Sequence, residues 1–180
     1  MVSTLKRLTI NETILELVRG DITKQDTDAI VNAANARLAP GGGVAGAIHR
    51  AAGAGLWEEC KMLSGCRTGE AKLTSGHALR ATYIIHTVGP VYSGIPQDAN
   101  DLRACYRNSL RLAEENDIRS VSFPAISTGA FGYPLEEAAQ ISLATVIEYI
   151  KKETGLTLVR FVMYSQSAYD AYLSVLTSLR

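Results

Sequence analysis

The sequence predicts an α/β protein built on a largely parallel sheet with helices on both faces. Three observations predict it. Five short β-branched runs recur along the chain, and longer segments between them carry apolar residues at three- and four-residue spacings. No internal repeat or Pro/Gly-rich linker divides the chain, so one domain over residues 1–180 is expected. Runs that alternate in this way become strands joined by crossover helices, which makes the strands parallel.

In chain order, "TILELV" (13–18) and "AIVNA" (29–33) read as the first strands, and helices follow at 43–53 and 55–63. "YIIHTV" (83–88) is the next strand, and "GPVYSGIPQDAND" (89–101) reads as a surface loop of a length a domain tolerates. The helix predicted over 101–116 places Leu102, Tyr106, Leu110 and Ala113 on one face. "SVSFPAI" (120–126) is a strand. The helix at 135–152 opens on Pro134 and carries Glu136 and Glu137 near its positive end. "LVRFVMY" (158–164) is the last strand, and a helix at 168–179 follows Ser167 and Asp170, which have capping-box-like spacing.

Composition narrows the function classes. The chain is 47% hydrophobic and 20% charged, as expected of a folded globular protein. Lys plus Arg equals Asp plus Glu at 18 each, so there is no basic excess with which to collect phosphate backbones, and a dedicated nucleic-acid binder is disfavoured. No segment reaches membrane-spanning length and no apolar signal core follows Lys6 and Arg7, so a cytoplasmic protein without a membrane partner is expected. Cys60, Cys66 and Cys105 form an odd set without a CxxC pair; free thiols are expected, not a disulfide framework or a zinc site.

Ligands of open α/β sheets bind at the carboxyl ends of strands, where loops lead into helix N-termini with free N–H groups. Two glycine-rich loops have that placement: Gly41-Gly42-Gly43-Val44-Ala45-Gly46 before the helix at 43–53, and Ser127 to Gly132 after the strand at 120–126. The first formally satisfies GxGxxG. A dinucleotide-binding turn should nonetheless follow its strand at once and be answered by an acidic residue about twenty positions on. Here eight residues, Ala33 to Pro40, intervene after Asn32, and Glu58 and Glu59 fall within a helix pattern. No GxxxxGK[ST] is present, which disfavours a magnesium-dependent NTPase.

Asp21 in "GDIT" can accept from an exocyclic amine or cap its own turn with Thr23, and spacing favours the cap. Asn32 and Asn35 each offer a donor and an acceptor, either to brace the loop or to meet a ribose hydroxyl, and Asn32 reads as the brace. His49, His77 and His86 read as structural residues; His49 lies four residues beyond Ala45 on the same helical face, which makes it the one to test.

Taken together in order, "GDIT", "IVNAAN", "GGGVAGAIHRAAG", "IIHTVGP" and "FPAISTGAFGYP" resemble the macrodomain family, and within it the MacroD-type ADP-ribosyl hydrolases. The resemblance covers nearly the whole chain. It implies a three-layer α/β/α sandwich around a mixed sheet, with ADP-ribose bound in a cleft and no metal or other cofactor. The backbone of Gly42, Gly43, Val44, Ala45 and Gly46 would approach the diphosphate and distal ribose, and Ser127, Thr128, Gly129, Ala130 and Phe131 would close from the other side. Asp21 would meet the adenine amine with Ile22 beside it, Tyr164 would stack near the ring, Asn35 would bond the distal ribose and Phe131 would pack against it.

The implied chemistry is ester hydrolysis at that ribose, releasing ADP-ribose from mono-ADP-ribosylated protein carboxylates or acetate from O-acetyl-ADP-ribose. Its implied catalytic positions are Asn35, Ala45 and Phe131. At one of them the chain departs from its relatives. MacroD-type proteins usually read GGGVDG, so the family's catalytic Asp falls on Ala45. Viral-type macrodomains also read GGGVAG but carry a His before the triplet, where this chain has Pro40. Phe131 replaces a Tyr of many relatives. Loss of a positioned acid or base removes roughly two to four decades of rate, which predicts a weakened hydrolase or, as the alternative, an ADP-ribose reader.

Overall fold

The computed structural model describes residues 5–179. Its strands are β1 (Leu5–Ile10), β2 (Thr13–Arg19), β3 (Ala29–Ala33), β4 (Ala71–Ser75), β5 (Tyr83–Thr87), β6 (Ser120–Phe123) and β7 (Leu158–Met163). They form one seven-stranded sheet in the order β1-β2-β7-β6-β3-β5-β4. The inner neighbours pair parallel, and β1 and β4 close the two edges antiparallel. The carboxyl ends of β2, β7, β6, β3 and β5 therefore share one edge of the sheet.

The helices are α1 (Gly43–Ala52), α2 (Ala54–Lys61), α3 (Pro96–Glu115), α4 (Leu135–Ile150) and α5 (Gln166–Ser178). Strand residues alternate between two cores, as a pleated sheet requires. Ala29, Val31, Ile85 and Phe161 join Tyr106 and Leu110 of α3, Leu143 and Val146 of α4, and Tyr172 of α5. Ile30, Ile84 and Val162 join Ile48 of α1 and Leu56 and Cys60 of α2 on the other face. This is the three-layer α/β/α sandwich around a mixed, largely parallel sheet that the motifs implied. Leu102, Tyr106, Leu110 and Ala113 are all fully buried, so the face read from their spacing is the one α3 packs.

Several local readings are corrected. The edge strands β1 and β4 lie outside the predicted set, because "LKRLTI" is interrupted by charge and "AKLTS" is short with a single large apolar residue. The segment 89–101 is not one loop, since α3 begins at Pro96. Proline tolerates the first helical turn, and the Asp98 carboxylate accepts from the N–H of Ser93 at 2.7 Å and of Gly94 at 2.8 Å, tying the loop to the helix start. The strand at 120–126 stops at Phe123, where Pro124 has no N–H to continue the ladder. The cap of α5 is Ser165, whose Oγ accepts from Ala168 N at 3.1 Å; Ser167 does not cap, and Asp170 accepts from Gln166 Nε2 instead. Cys60, Cys66 and Cys105 are free and buried.

Candidate functional site

A cleft of about 290 Å³ opens where β3 and β6 end, lined by both glycine-rich loops together with Ala33, Ala34, Asn35, Gly89, Ala125 and Ile126. Among the described residues no charged side chain lines it. Its polar character comes from backbone, and the two walls show how.

On the first wall, Gly42 is the N-cap of α1 and offers no side chain, and Gly43 has φ +56°, a conformation that L residues rarely adopt. Gly46 lets this loop fold back on its own helix: its N–H donates to Gly42 O at 3.1 Å, and a Cβ there would stand 2.2 Å from Gly41 O. The N–H groups of Gly43, Val44 and Ala45 belong to the first helical turn, where no intrahelical acceptor exists, and all three residues line the cleft. Such a terminus attracts anions.

On the second wall, Ser127 has φ 68° although it is not glycine, and it is buried against Gly89, where a Cβ would meet Ser127 Oγ at 2.2 Å. The turn is held by Gly132 N donating to Gly129 O at 3.0 Å, Tyr133 N to Ser127 O at 2.9 Å, and Thr128 Oγ1 to Ala125 O at 2.8 Å. Among the described residues no protein acceptor takes the N–H of Gly129, Ala130 or Phe131. Both walls thus present unpaired N–H donors to one cavity.

Asn35 lines the cleft while bracing the loop that follows. Its Nδ2 donates to Ala39 O at 2.8 Å and its Oδ1 accepts from Ala39 N at 3.0 Å, leaving one amide N–H free. Asn32, read as a brace, is fully buried with its Nδ2 3.0 Å from His86 Nδ1. No histidine lines the cleft. Burial pushes the His86 ring down to about 3, the nearby His49 adding to the effect, and burial also lowers His49, whose two nitrogens have no partner among the described residues. His77 pairs with Glu59 at 2.8 Å, away from the site.

The structure does not gather every expected residue into this cavity. Asp21, Ile22, Gly46, Thr128 and Tyr164 do not line it. Asp21 does cap its turn: Oδ1 accepts from Thr23 N at 2.9 Å and Thr23 Oγ1 at 2.7 Å, bonds that hold its carboxyl below the ordinary range and leave Oδ2 without a partner among the described residues. Ile22 is buried in the α1–α2 core, and Tyr164 is 82% exposed just after β7. These residues nevertheless fall in line along one sheet edge. Asp21 follows β2, Tyr164 follows β7, the second loop follows β6 and the first follows β3, in the spatial order of the strands. At about 4.8 Å per strand the row spans roughly 14 Å, which suits an elongated ligand. Gly89, Ala125 and Ile126 also line the cleft: they fall within the motifs "IIHTVGP" and "FPAISTGAFGYP" but are not among the expected site residues, although Gly89-Pro90 directly after a buried strand is a usable signal.

The family model described as Macro domain matches residues 31–142. A Macro domain-containing protein of Chlorobaculum tepidum is 51% identical over 166 residues, covering 92% of this chain and 96% of that protein. The ADP-ribose glycohydrolase MACROD1 of Mus musculus is 56% identical over 145 residues, which is 79% of this chain and 45% of that longer protein. Among solved structures, the Oceanobacillus iheyensis macrodomain with ADP superposes with a TM-score of 0.94 at 43% identity, covering 97% of this chain and 96% of that one. The Trypanosoma brucei macrodomain in complex with ADP-ribose gives 0.86 at 43% identity, over 90% of this chain and 68% of that one. Solved variants of the Oceanobacillus protein replace an Asn, a Gly seven residues further on, and an Asp three residues beyond that. The same spacing here runs Asn35, Gly42, Ala45.

Proposed function

The chain belongs to the Macro domain family, and from that premise we propose that it binds ADP-ribose along the sheet edge and slowly hydrolyses ADP-ribosyl esters, without metal or cofactor, in a cytosolic setting. The observation that carries this reading is the uncharged cleft with unpaired N–H donors on both walls, set beyond Asp21 and Tyr164 on the same edge. A diphosphate is the ligand such a cleft suits: it brings its own charge, takes up many N–H donors and needs no counter-ion where a helix N-terminus supplies positive potential. The free Oδ2 of Asp21 then receives the adenine amine, Tyr164 stacks on the ring, and the remaining N–H of Asn35 reaches the distal ribose beside Phe131.

The substrates are mono-ADP-ribosylated proteins and O-acetyl-ADP-ribose, in both of which the bond cleaved is an ester at the distal ribose. Water needs orientation and the developing charge needs donors. The donors are the loop N–H groups. Orientation falls to the substrate's own phosphate, because Ala45 stands where the Oceanobacillus protein carries Asp and, among the described residues, neither carboxylate nor imidazole lines the cleft. That same lining favours a second reading, a reader that holds ADP-ribose without turning it over.

Calorimetry with ADP-ribose, followed by the time course of ADP-ribose release from a carboxylate-linked mono-ADP-ribosylated protein, tests both. The expected result is binding, slow release by the wild type and release faster by about a hundredfold in Ala45→Asp. Tight binding with no release establishes the reader, and no binding overturns both readings.

A further inference from the structure

The row of strand ends does not stop at the cleft. In the sheet, β5 lies beyond β3, and its carboxyl end leads through Gly89, which lines the cleft, into the segment 90–95. This segment is bonded to the second wall, Tyr92 N donating to Phe131 O at 2.8 Å. It is also rigidly held. Asp98 accepts from the N–H groups of Ser93 and Gly94, and the Tyr92 ring packs on Tyr133 with centroids 4.9 Å apart. On this braced loop Val91 is 63% and Ile95 56% exposed, two of the few large apolar residues left in solvent among the described residues. A groove of about 350 Å³ adjoins Ile95, lined by Tyr92, Ile95, Pro96, Tyr133 and Ile141, with Glu137 the one charged residue of its lining among the described residues. Glu137 has no ion-pair partner among the described residues.

We propose that this shelf and groove dock the polypeptide that carries the ADP-ribose, seating an apolar side chain against Val91 and Ile95 and a lysine or arginine beside Glu137. The inference rests on the reading of the cleft as an ADP-ribose site. With adenine at β2 and β7, diphosphate between the loops of β6 and β3, and the distal ribose against Phe131, whatever is attached to that ribose emerges over the loop that follows β5. A free metabolite ends there. A modified protein continues, and a loop already braced by the bonds of Tyr92, Ser93 and Gly94 docks a chain at little ordering cost. Glu137 in the lining, with the Asp98 carboxylate bonded to the adjoining Ser93 and Gly94, selects a basic neighbour and disfavours a polyanion such as nucleic acid.

The test measures, by fluorescence anisotropy and calorimetry, binding of free ADP-ribose and of a peptide with an apolar residue and a lysine flanking a side chain joined to ADP-ribose by a non-hydrolysable triazole, with a glutamine-for-lysine conjugate as the charge control. The wild type is expected to bind the conjugate about tenfold more tightly than ADP-ribose, the order supplied by covering two half-exposed aliphatic side chains. The Val91→Ser/Ile95→Ser double variant loses that advantage and keeps its affinity for ADP-ribose, which also reports that it is folded. Glu137→Gln abolishes the preference for the lysine conjugate over one carrying glutamine there. Equal affinity of the wild type for both probes, or a double variant that retains the advantage, overturns the docking surface while leaving the cleft intact. Failure of the wild type to bind either probe overturns the cleft reading, and the shelf with it.

Discussion

Replacing Gly46 by alanine puts a methyl group 2.2 Å from the carbonyl oxygen of Gly41, where ordinary contact begins at 3.4 Å. The obstacle is backbone, so the loop must move by more than an ångström, and Gly41 to Gly43 form the first wall of the cleft. Forced repacking of this kind costs about 1–3 kcal/mol of stability. The effect on binding is separate. Each N–H bond to a charged oxygen is worth about 1.5–3 kcal/mol, so misdirecting one of them lowers ADP-ribose affinity roughly 10- to 150-fold. Gly155 supplies the control: it does not line the cleft, its backbone is not left-handed and a Cβ there meets nothing within 4 Å, so Gly155→Ala should bind like the wild type. The assay is calorimetric titration of ADP-ribose into the three proteins, with thermal melts run alongside. Wild-type affinity in Gly46→Ala would refute the claim that the fold-back of this loop sets the donor geometry.

Three further outcomes follow from the electrostatics and burial. His86 titrates near 3 in the fold against 6.5 ordinarily, so below pH 6.5 the unfolded chain binds the extra proton and stability falls as pH drops toward 3. Urea unfolding should lose roughly 2 kcal/mol between pH 6.5 and 5 from this group, with His49 adding to the loss in the same direction; a flat profile there contradicts it. Burial raises the Glu16 carboxyl, but hydrogen bonds from Arg160, at 2.7 Å, and Arg7 outweigh it and leave the group lowered. Glu16→Gln should therefore cost about 2 kcal/mol at pH 7 in urea unfolding, and the difference should shrink in acid as the wild-type carboxylate protonates. Cys60 and Cys105 are fully buried with thiols pushed up to about 11, so native protein at neutral pH should leave both unmodified by iodoacetamide while unfolded protein reacts at all three cysteines by mass spectrometry.

The five inner strands, the helices and the two glycine loops are legible in the amino-acid order, because these rest on patterns that neighbouring residues settle among themselves. Period-two and period-3.6 burial, glycine at φ +56° in Gly43 and proline at a helix start are local in origin. The motif order carried the family, and the gap at Ala45 was legible as a missing carboxylate. What the chain could not announce was adjacency. The edge strands β1 and β4 exist because β2 and β5 offer unpaired backbone, not because their own residues insist on it. Asn35 owes its half-spent amide to where Ala39 folds, and the exposed side chains of Val91 and Ile95 gain meaning only because strand order sets β5 beside β3 at the open end of the cleft. Strand order is a long-range packing choice, decided by which faces two separate cores bury together, and only the tertiary structure records it.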